Sequence, residues 1–366
     1  RERRVALVHE RFTEIGGSER VVEQFHRIWP DAPVYASVAQ PEGLPEGLVD
    51  ADVRPSALQR LHSPNRSYAA LLPFLPMAMA RLDLADADLV VVSHHAFANR
   101  VRPPDGTPVI SYTHTPARWI WEPELRANEI GGPIGRAGLG FFARTQRRAD
   151  RAAAGRLTGL VVNSTHVAER VRRYWERDAV VVPPPVDTEF YVPDRDGRPR
   201  EDFFLLAGRL VPYKQPEIAV AAAERAGVRL VVAGDGRARP AVEAAAGPHT
   251  ELLGRVDDDT LRDLYRRCRA LVFPGEEDFG IVPVEAQACG APVIARRIGG
   301  VLDSVVDGTT GVLYEGDPED VGALAAALTD FDAARFDPDG IRAHADGFSR
   351  AAFRERFAAE VDALLA

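Results

Sequence analysis

Two glutamates eight residues apart, in the segment FPGEEDFGIVPVEAQACGAPVIA, are placed to do chemistry on hydroxyl groups. Glu277 falls in an acidic loop with Gly280, just after an apolar run at 271–274. Glu285 falls just inside a helix expected to begin near Pro283, because proline suits a first helical turn. The two carboxylates would then surround one loop–helix junction instead of sharing a helix face. A helix N-terminus offers free N–H groups and a partial positive charge. Carboxylates beside it can accept from sugar hydroxyls, and Gly280 lets backbone approach a ligand closely. A plainer reading stays open, in which Glu285 complements the helix dipole and Glu277 is solvated.

A second cluster is LLAGRLVPYKQPEIAVAAA, where a strand ends at Gly208 and a helix begins near Pro216. Arg209 and Lys214 lie in the intervening loop. Arginine can grip two oxygens at once and lysine adds a compact charge, so the pair suits a diphosphate. They could equally be two solvated surface charges. Nearer the N-terminus, HERFTEIGGSERVVEQF puts Gly16 and Gly17 between a strand and a helix, where backbone N–H groups can cradle an anion. An ordinary turn would look the same. SYTHTPARWIW sets His114 just past another strand end, a position also open to a structural histidine.

Short β-branched runs alternating with longer helical stretches would hold these groups in place. Strands are expected at 5–9, 89–93, 109–112 and 160–163, then at 203–207, 229–233, 251–254, 271–274 and 292–295. Most are continuous apolar runs, as strands buried on both faces are. Strand–helix alternation implies parallel sheets with right-handed crossovers, whose ligands bind beyond the carboxyl ends of the strands. The fold class is therefore α/β. A chain of 366 residues is long for one core, so two domains are expected. The proline-rich stretch at 181–202 marks the break, giving domains at 1–184 and 185–345. The remaining residues, 346–366, carry an N-cap signal at Ser349. Phe353, Phe357, Val361 and Leu364 follow at helical spacing, and this helix is expected to return to the N-terminal domain.

The formal net charge of −9 argues against a nucleic-acid partner, so an anionic ligand must be held by local positive charge. Two cysteines are too few for a disulfide framework or a zinc site. No metal site is expected. The patterns Asp86-Ala87-Asp88 and Asp194-Arg195-Asp196 read as solvated acids. The chain starts RERRVALVHE, without an apolar signal core, and a cytoplasmic location is expected.

Taken in order, these segments resemble the retaining glycosyltransferase family 4, whose members have the GT-B architecture of two Rossmann-like domains facing each other across a cleft. Glu277 and Glu285 meet the family's E-x7-E spacing, Arg209 and Lys214 its G-R-L…K segment, and Gly16-Gly17 its N-terminal glycine loop. VVNSTHVAERV matches a further recurring segment. HERFTEIGGSERV, YTHTPARWIWEPE and VVPPPVDTEFY look like the bacterial mannosyltransferases of O-antigen and surface-glycan assembly, which implies GDP-mannose as donor.

Carried over by position, Arg209 and Lys214 would bind the donor diphosphate and Glu285 the ribose hydroxyls. Glu277, with the backbone of Phe279, Gly280 and Ile281, would hold the sugar. Gly16 and Gly17 would line the phosphate side, His114 would sit at the reacting face, and Arg255 and Val256 would border the base. The resemblance also implies front-face transfer without a metal or other cofactor, the departing phosphate taking the acceptor's proton.

The expected acceptor is a glycan or lipid-linked glycan. Arg60, Arg66 and Arg81 in one apolar segment, and Arg136, Arg144, Arg147, Arg148, Arg151 and Arg156 in another, could rest on an anionic membrane surface. Core-facing helices with solvated arginines would fit the same pattern. The competing functions are a UDP-sugar transferase with a soluble acceptor, a nucleotide-sugar epimerase and a non-catalytic binding protein.

Overall fold

A computed structural model describes residues 3–62, 68–123, 133–194 and 199–366. The chain divides into two compact units, Arg1–Pro185 with Phe353–Ala366, and Val186–Ala352. Each is built on one wholly parallel sheet. In the first unit the strands are β1 Val5–His9, β2 Val34–Ala36, β3 Val53–Pro55, β4 Leu89–His94, β5 Val109–Thr113, β6 Gly159–Val162 and β7 Val180–Val181, in spatial order 3-2-1-4-5-6-7. β1 and β4 are buried along their whole length, which is why they read as unbroken apolar runs. They pair from Val5↔Leu89 to His9↔Ser93. The chain order reverses between them, so the crevice at their carboxyl ends is where a ligand of this sheet type would bind.

The second unit contains β8 Phe204–Ala207, β9 Leu230–Ala233, β10 Thr250–Gly254, β11 Ala270–Phe273, β12 Val293–Arg296 and β13 Gly311–Tyr314, in order 10-9-8-11-12-13. Its reversal falls between β8 and β11. The Lys214 and Glu277 loops leave those two strands.

Four strands had no legible signal. β2, β3 and β7 are two or three residues long, and β3 is a largely exposed edge ending in a proline. β13 opens on Gly311, where a Cβ would lie 2.1 Å from the Val293 carbonyl oxygen, so a glycine marks close strand approach instead of a break.

The last helix, Arg350–Leu365, is capped by the Ser349 hydroxyl, which accepts from the Ala352 N–H at 3.2 Å. From Phe353 onward it belongs to the first unit. There Phe353, Phe357 and Val361 are buried against Phe25 and Tyr112. Phe357 stacks on Phe25 with ring centroids 4.5 Å apart.

Both cysteines are buried free thiols, which burial pushes up to about 12. Among the described residues, no group of three or more His, Cys, Asp or Glu side chains could hold a metal ion, and no helix is long and apolar enough to cross a membrane. Asp86 and Asp88 are exposed and lie 3.5 and 3.2 Å from Arg4 at the surface, in keeping with their reading as solvated acids. Arg195 and Asp196, Arg66 and the side chain of Arg136 lie outside the described residues. Asp150, within the second basic stretch, is buried and accepts from the indole N–H groups of Trp121 and Trp175 at 2.7 and 2.8 Å.

Candidate functional site

In the second unit the fold brings Lys214 and Glu277 together. Lys214 Nζ lies 2.7 Å from Glu277 Oε1, with the two side chains 19% and 18% exposed. That degree of burial decides against reading them as solvated charges. Arg209, in the same loop, is exposed and reaches no acid among the described residues.

Glycines make this juxtaposition possible. A Cβ at Gly275 would lie 2.4 Å from Lys214 Cα, so the loops after β8 and β11 pack backbone to backbone. Gly208, at φ +112, carries the chain out of β8, and a Cβ at Gly234 would lie 1.9 Å from its carbonyl oxygen. The VVAGDGR motif thus buttresses the Lys214 loop. Gly299 and Gly300 do the same for Glu277, whose carbonyl accepts from the Gly300 N–H at 2.8 Å.

The helix Ile281–Ala288 starts two residues earlier than Pro283 suggested. Its cap is Gly280, at φ +87, which has no side chain to offer the first N–H groups. These N–H groups bring a partial positive charge to the β8/β11 reversal, beside the Lys214–Glu277 pair. Phe279 is buried and its ring packs near Phe348, so only its backbone can serve a ligand. Glu285 is the fifth helical residue, too far along to complement the dipole. Instead its Oε2 accepts from the Tyr265 hydroxyl at 3.0 Å. Burial pushes that phenol well above its usual range, and the Glu285 charge adds to the effect. Arg255 is exposed and Val256 half-buried just past β10. The neighbouring acids are already engaged: Asp257 Oδ1 accepts from Thr260 N–H at 2.8 Å, and Asp259 pairs with Arg262 at 2.6 Å.

In the first unit Gly16 and His114 lie at opposite ends of one line of hydrogen bonds. Glu19 Oε2 accepts from the Gly16 N–H at 2.9 Å and the Ser18 hydroxyl at 3.0 Å. Its Oε1 lies 3.1 Å from His9 Nε2. His9 Nδ1 lies 3.0 Å from Ser93 Oγ, and Ser93 Oγ 2.8 Å from His114 Nε2. The Gly16 N–H thus serves the Glu19 carboxylate. The neighbouring Glu10 accepts from the N–H groups of Phe97 and Ala98 at 2.6 and 2.9 Å, pinning the loop after β4. Glu19 had one faint signal, its place three residues after a helix-capping position. His9 and Ser93 had none beyond lying at the ends of strands.

Two family models match, one on each half of the chain: Glycosyltransferase Family 4 over residues 15–190 and Glycosyl transferases group 1 over residues 188–334. Each half of the chain thus resembles a glycosyltransferase family. Among curated relatives, a D-inositol 3-phosphate glycosyltransferase of Kribbella flavida is 38% identical over 216 residues, 49% of this chain and 49% of that protein. The chain thus spans about half the length of the curated relatives it matches. Solved structures match along nearly the whole chain. Sucrose-phosphate synthase from Thermosynechococcus elongatus has a TM-score of 0.74 at 18% identity, covering 99% of each chain. Anabaena HepE, in complex with UDP and glucose, has a TM-score of 0.70 at 17% identity, covering 99% of this chain and 100% of that one. At such identities the likeness is one of fold. The chain thus shares the fold of these enzymes, with a parallel-sheet α/β unit in each half.

Proposed function

We propose that this chain moves a hexose from a nucleoside diphosphate sugar to an acceptor hydroxyl, retaining the anomeric configuration and using no metal. One observation carries the reading: Lys214 and Glu277 meet beside the Gly280 helix start at the strand-order reversal. Breaking the bond between C1 and the diphosphate builds negative charge on the leaving oxygen. Lys214, Arg209 and the N–H groups at Gly280–Ile281 stabilise that charge as it grows, which accelerates the chemical step. Glu277 accepts from sugar hydroxyls and Glu285 from the ribose, with Tyr265 fixing its carboxylate. Arg255 and Val256 border the base.

The donor we assign is GDP-mannose, from the HERF and YTHTPARWIW segments, and the acceptor a glycan or lipid-linked glycan at the inner face of the membrane. A second reading, a UDP-sugar transferase with a small soluble acceptor, draws support from the relatives named for inositol 3-phosphate. It is also favoured by the engagement of Asp257 and Asp259, which leaves fewer acceptors for the guanine donor groups. Thermal shifts separate the two, because a ligand that binds the native state raises its stability by mass action. GDP and GDP-mannose are expected to raise the melting temperature more than UDP and UDP-sugars at equal concentration. The opposite order selects the second reading.

Gly300→Ala tests the loop that carries Glu277. The new Cβ would lie 2.1 Å from the Asp278 carbonyl oxygen and 2.4 Å from Phe279 Cα, so the loop must move. The variant is expected to fold, by circular dichroism, yet to lose about tenfold or more in affinity for the nucleotide sugar, at least 1.4 kcal/mol. Unchanged affinity in titration calorimetry would show that the Glu277 loop is no part of the donor site.

A further inference from the structure

The long helix Pro133–Gly155 of the first unit carries Arg144, Arg147, Arg148 and Arg151 at spacings that set them on one face. With Trp121 and Ala152 they line a cavity of about 620 Å³. Like charges three or four residues apart destabilise a helix. Arg144–Arg147, Arg144–Arg148, Arg147–Arg151 and Arg148–Arg151 are all such pairs. Among the described residues, Arg151 alone of the four has an ion pair, its Nη1 lying 3.2 Å from Glu176 Oε1, a carboxylate 71% exposed. Arg144 and Arg148 are exposed and reach no acid among the described residues.

The cluster is fixed from behind. Trp121 donates its indole N–H to the buried Asp150 at 2.7 Å and stacks on Tyr174 with ring centroids 5.1 Å apart. Arg147 and Arg151 lie over the Trp121 ring, 5.7 and 5.8 Å from its centroid. Their Nε groups donate to the carbonyls of Ile120 and Tyr174, each at 3.0 Å. Main-chain carbonyls and an indole thus hold two guanidinium planes where repulsion alone would spread them. A multiply charged anion in the cavity offsets that repulsion. Guanidinium forks match phosphate oxygens in pairs, and groups oriented beforehand lose little freedom on binding.

We propose that Arg144, Arg147, Arg148 and Arg151, on the Trp121 platform, form a binding site for a phosphate group, borne by a lipid headgroup or by a soluble phosphorylated molecule. Every residue of the site belongs to the first unit, so the inference stands apart from the donor chemistry assigned to the Lys214 loop.

The test uses the full chain. Arg144→Gln/Arg148→Gln removes two exposed cations and leaves in place the two arginines bonded to the main chain, with the fold checked by circular dichroism. Arg60→Gln/Arg81→Gln removes the same charge from two other exposed positions of the first unit and is the control.

For the soluble source the probe is inorganic phosphate, against sodium chloride at matched ionic strength. The melting temperature should rise saturably with phosphate in the wild type and in the control. In Arg144→Gln/Arg148→Gln the half-saturating concentration should rise about fivefold or more, through the loss of charge-assisted hydrogen bonds. For the lipid source the probe is phosphatidylcholine vesicles with and without phosphatidylglycerol, at low ionic strength. Binding to the anionic vesicles should fall about tenfold or more in Arg144→Gln/Arg148→Gln, because each cation near such a surface adds to the attraction. A loss in the phosphate arm supports the site with a soluble ligand, and a loss in the vesicle arm alone supports it with a lipid. Equal behaviour of the wild type and Arg144→Gln/Arg148→Gln in both arms, or an equal loss in the control, overturns the inference.

Discussion

Lys214→Ala is expected to slow sugar transfer by about 10²–10³-fold, the usual loss when one contact to a developing oxyanion is removed. The loss in donor affinity should be smaller, because part of the interaction strengthens only as the diphosphate departs. Lys214 suits this role through its place beside the Gly280 helix start and its pairing with Glu277 at 2.7 Å. Arg209→Lys should also lose most activity, since a point charge cannot reproduce a two-pronged grip. Glu277→Ala should damage turnover more than nucleotide affinity, as its partner is the sugar. Transfer by the wild type should persist in EDTA. Steady-state rates for the three variants, with and without EDTA, check the set. Near-normal rates in both cation variants would remove the diphosphate role, and activity abolished by EDTA and restored by magnesium would remove the metal-free mechanism.

The largest expected effect on stability comes from Phe357→Ala. Phe357 is fully buried, stacked on Phe25 at 4.5 Å and edge-on to Tyr112 at 5.7 Å. Replacing a buried phenylalanine by alanine typically costs about 3–5 kcal/mol, part of it from the cavity that remains. The damage should fall on the first unit, whose core the helix completes. In urea, the transition of that unit should move to lower concentration, while the transition of residues 186–352 stays in place. A loss below about 1 kcal/mol would mean that the helix detaches at little cost.

The long buried strands and the two sheets were legible because both-face burial leaves unbroken apolar runs such as VALVH and LVVVSH. β2 and β3 were not, since three residues give no periodicity to read. In the candidate site, the residue types at positions 209, 214, 277 and 285 pointed to their chemistry, but their partners did not show. Lys214 and Glu277 are 63 residues apart in sequence and meet only because β8 and β11 are neighbours in the sheet. With the helix start placed at Pro283, a dipole-compensating role for Glu285 stayed open beside its reading as a ligand-binding carboxylate. Once the helix begins at Ile281, the carboxylate reaches Tyr265 instead. The Glu19–His9–Ser93–His114 line was the least visible of all. Each member lies on or just after a different element, and the parallel register of β1 with β4 sets His9 beside Ser93.

The central claim is that the Lys214 loop holds the diphosphate of a nucleotide donor, and titration calorimetry with GDP and GMP tests it most directly. GDP carries the second phosphate that Lys214 and Arg209 are proposed to bind; GMP does not. Wild type is expected to bind GDP about tenfold or more tighter than GMP, at least 1.4 kcal/mol, and Lys214→Ala to lose most of that difference while binding GMP as before. Equal affinity for the two nucleotides in the wild type, or a GDP preference that survives in Lys214→Ala, would contradict the account.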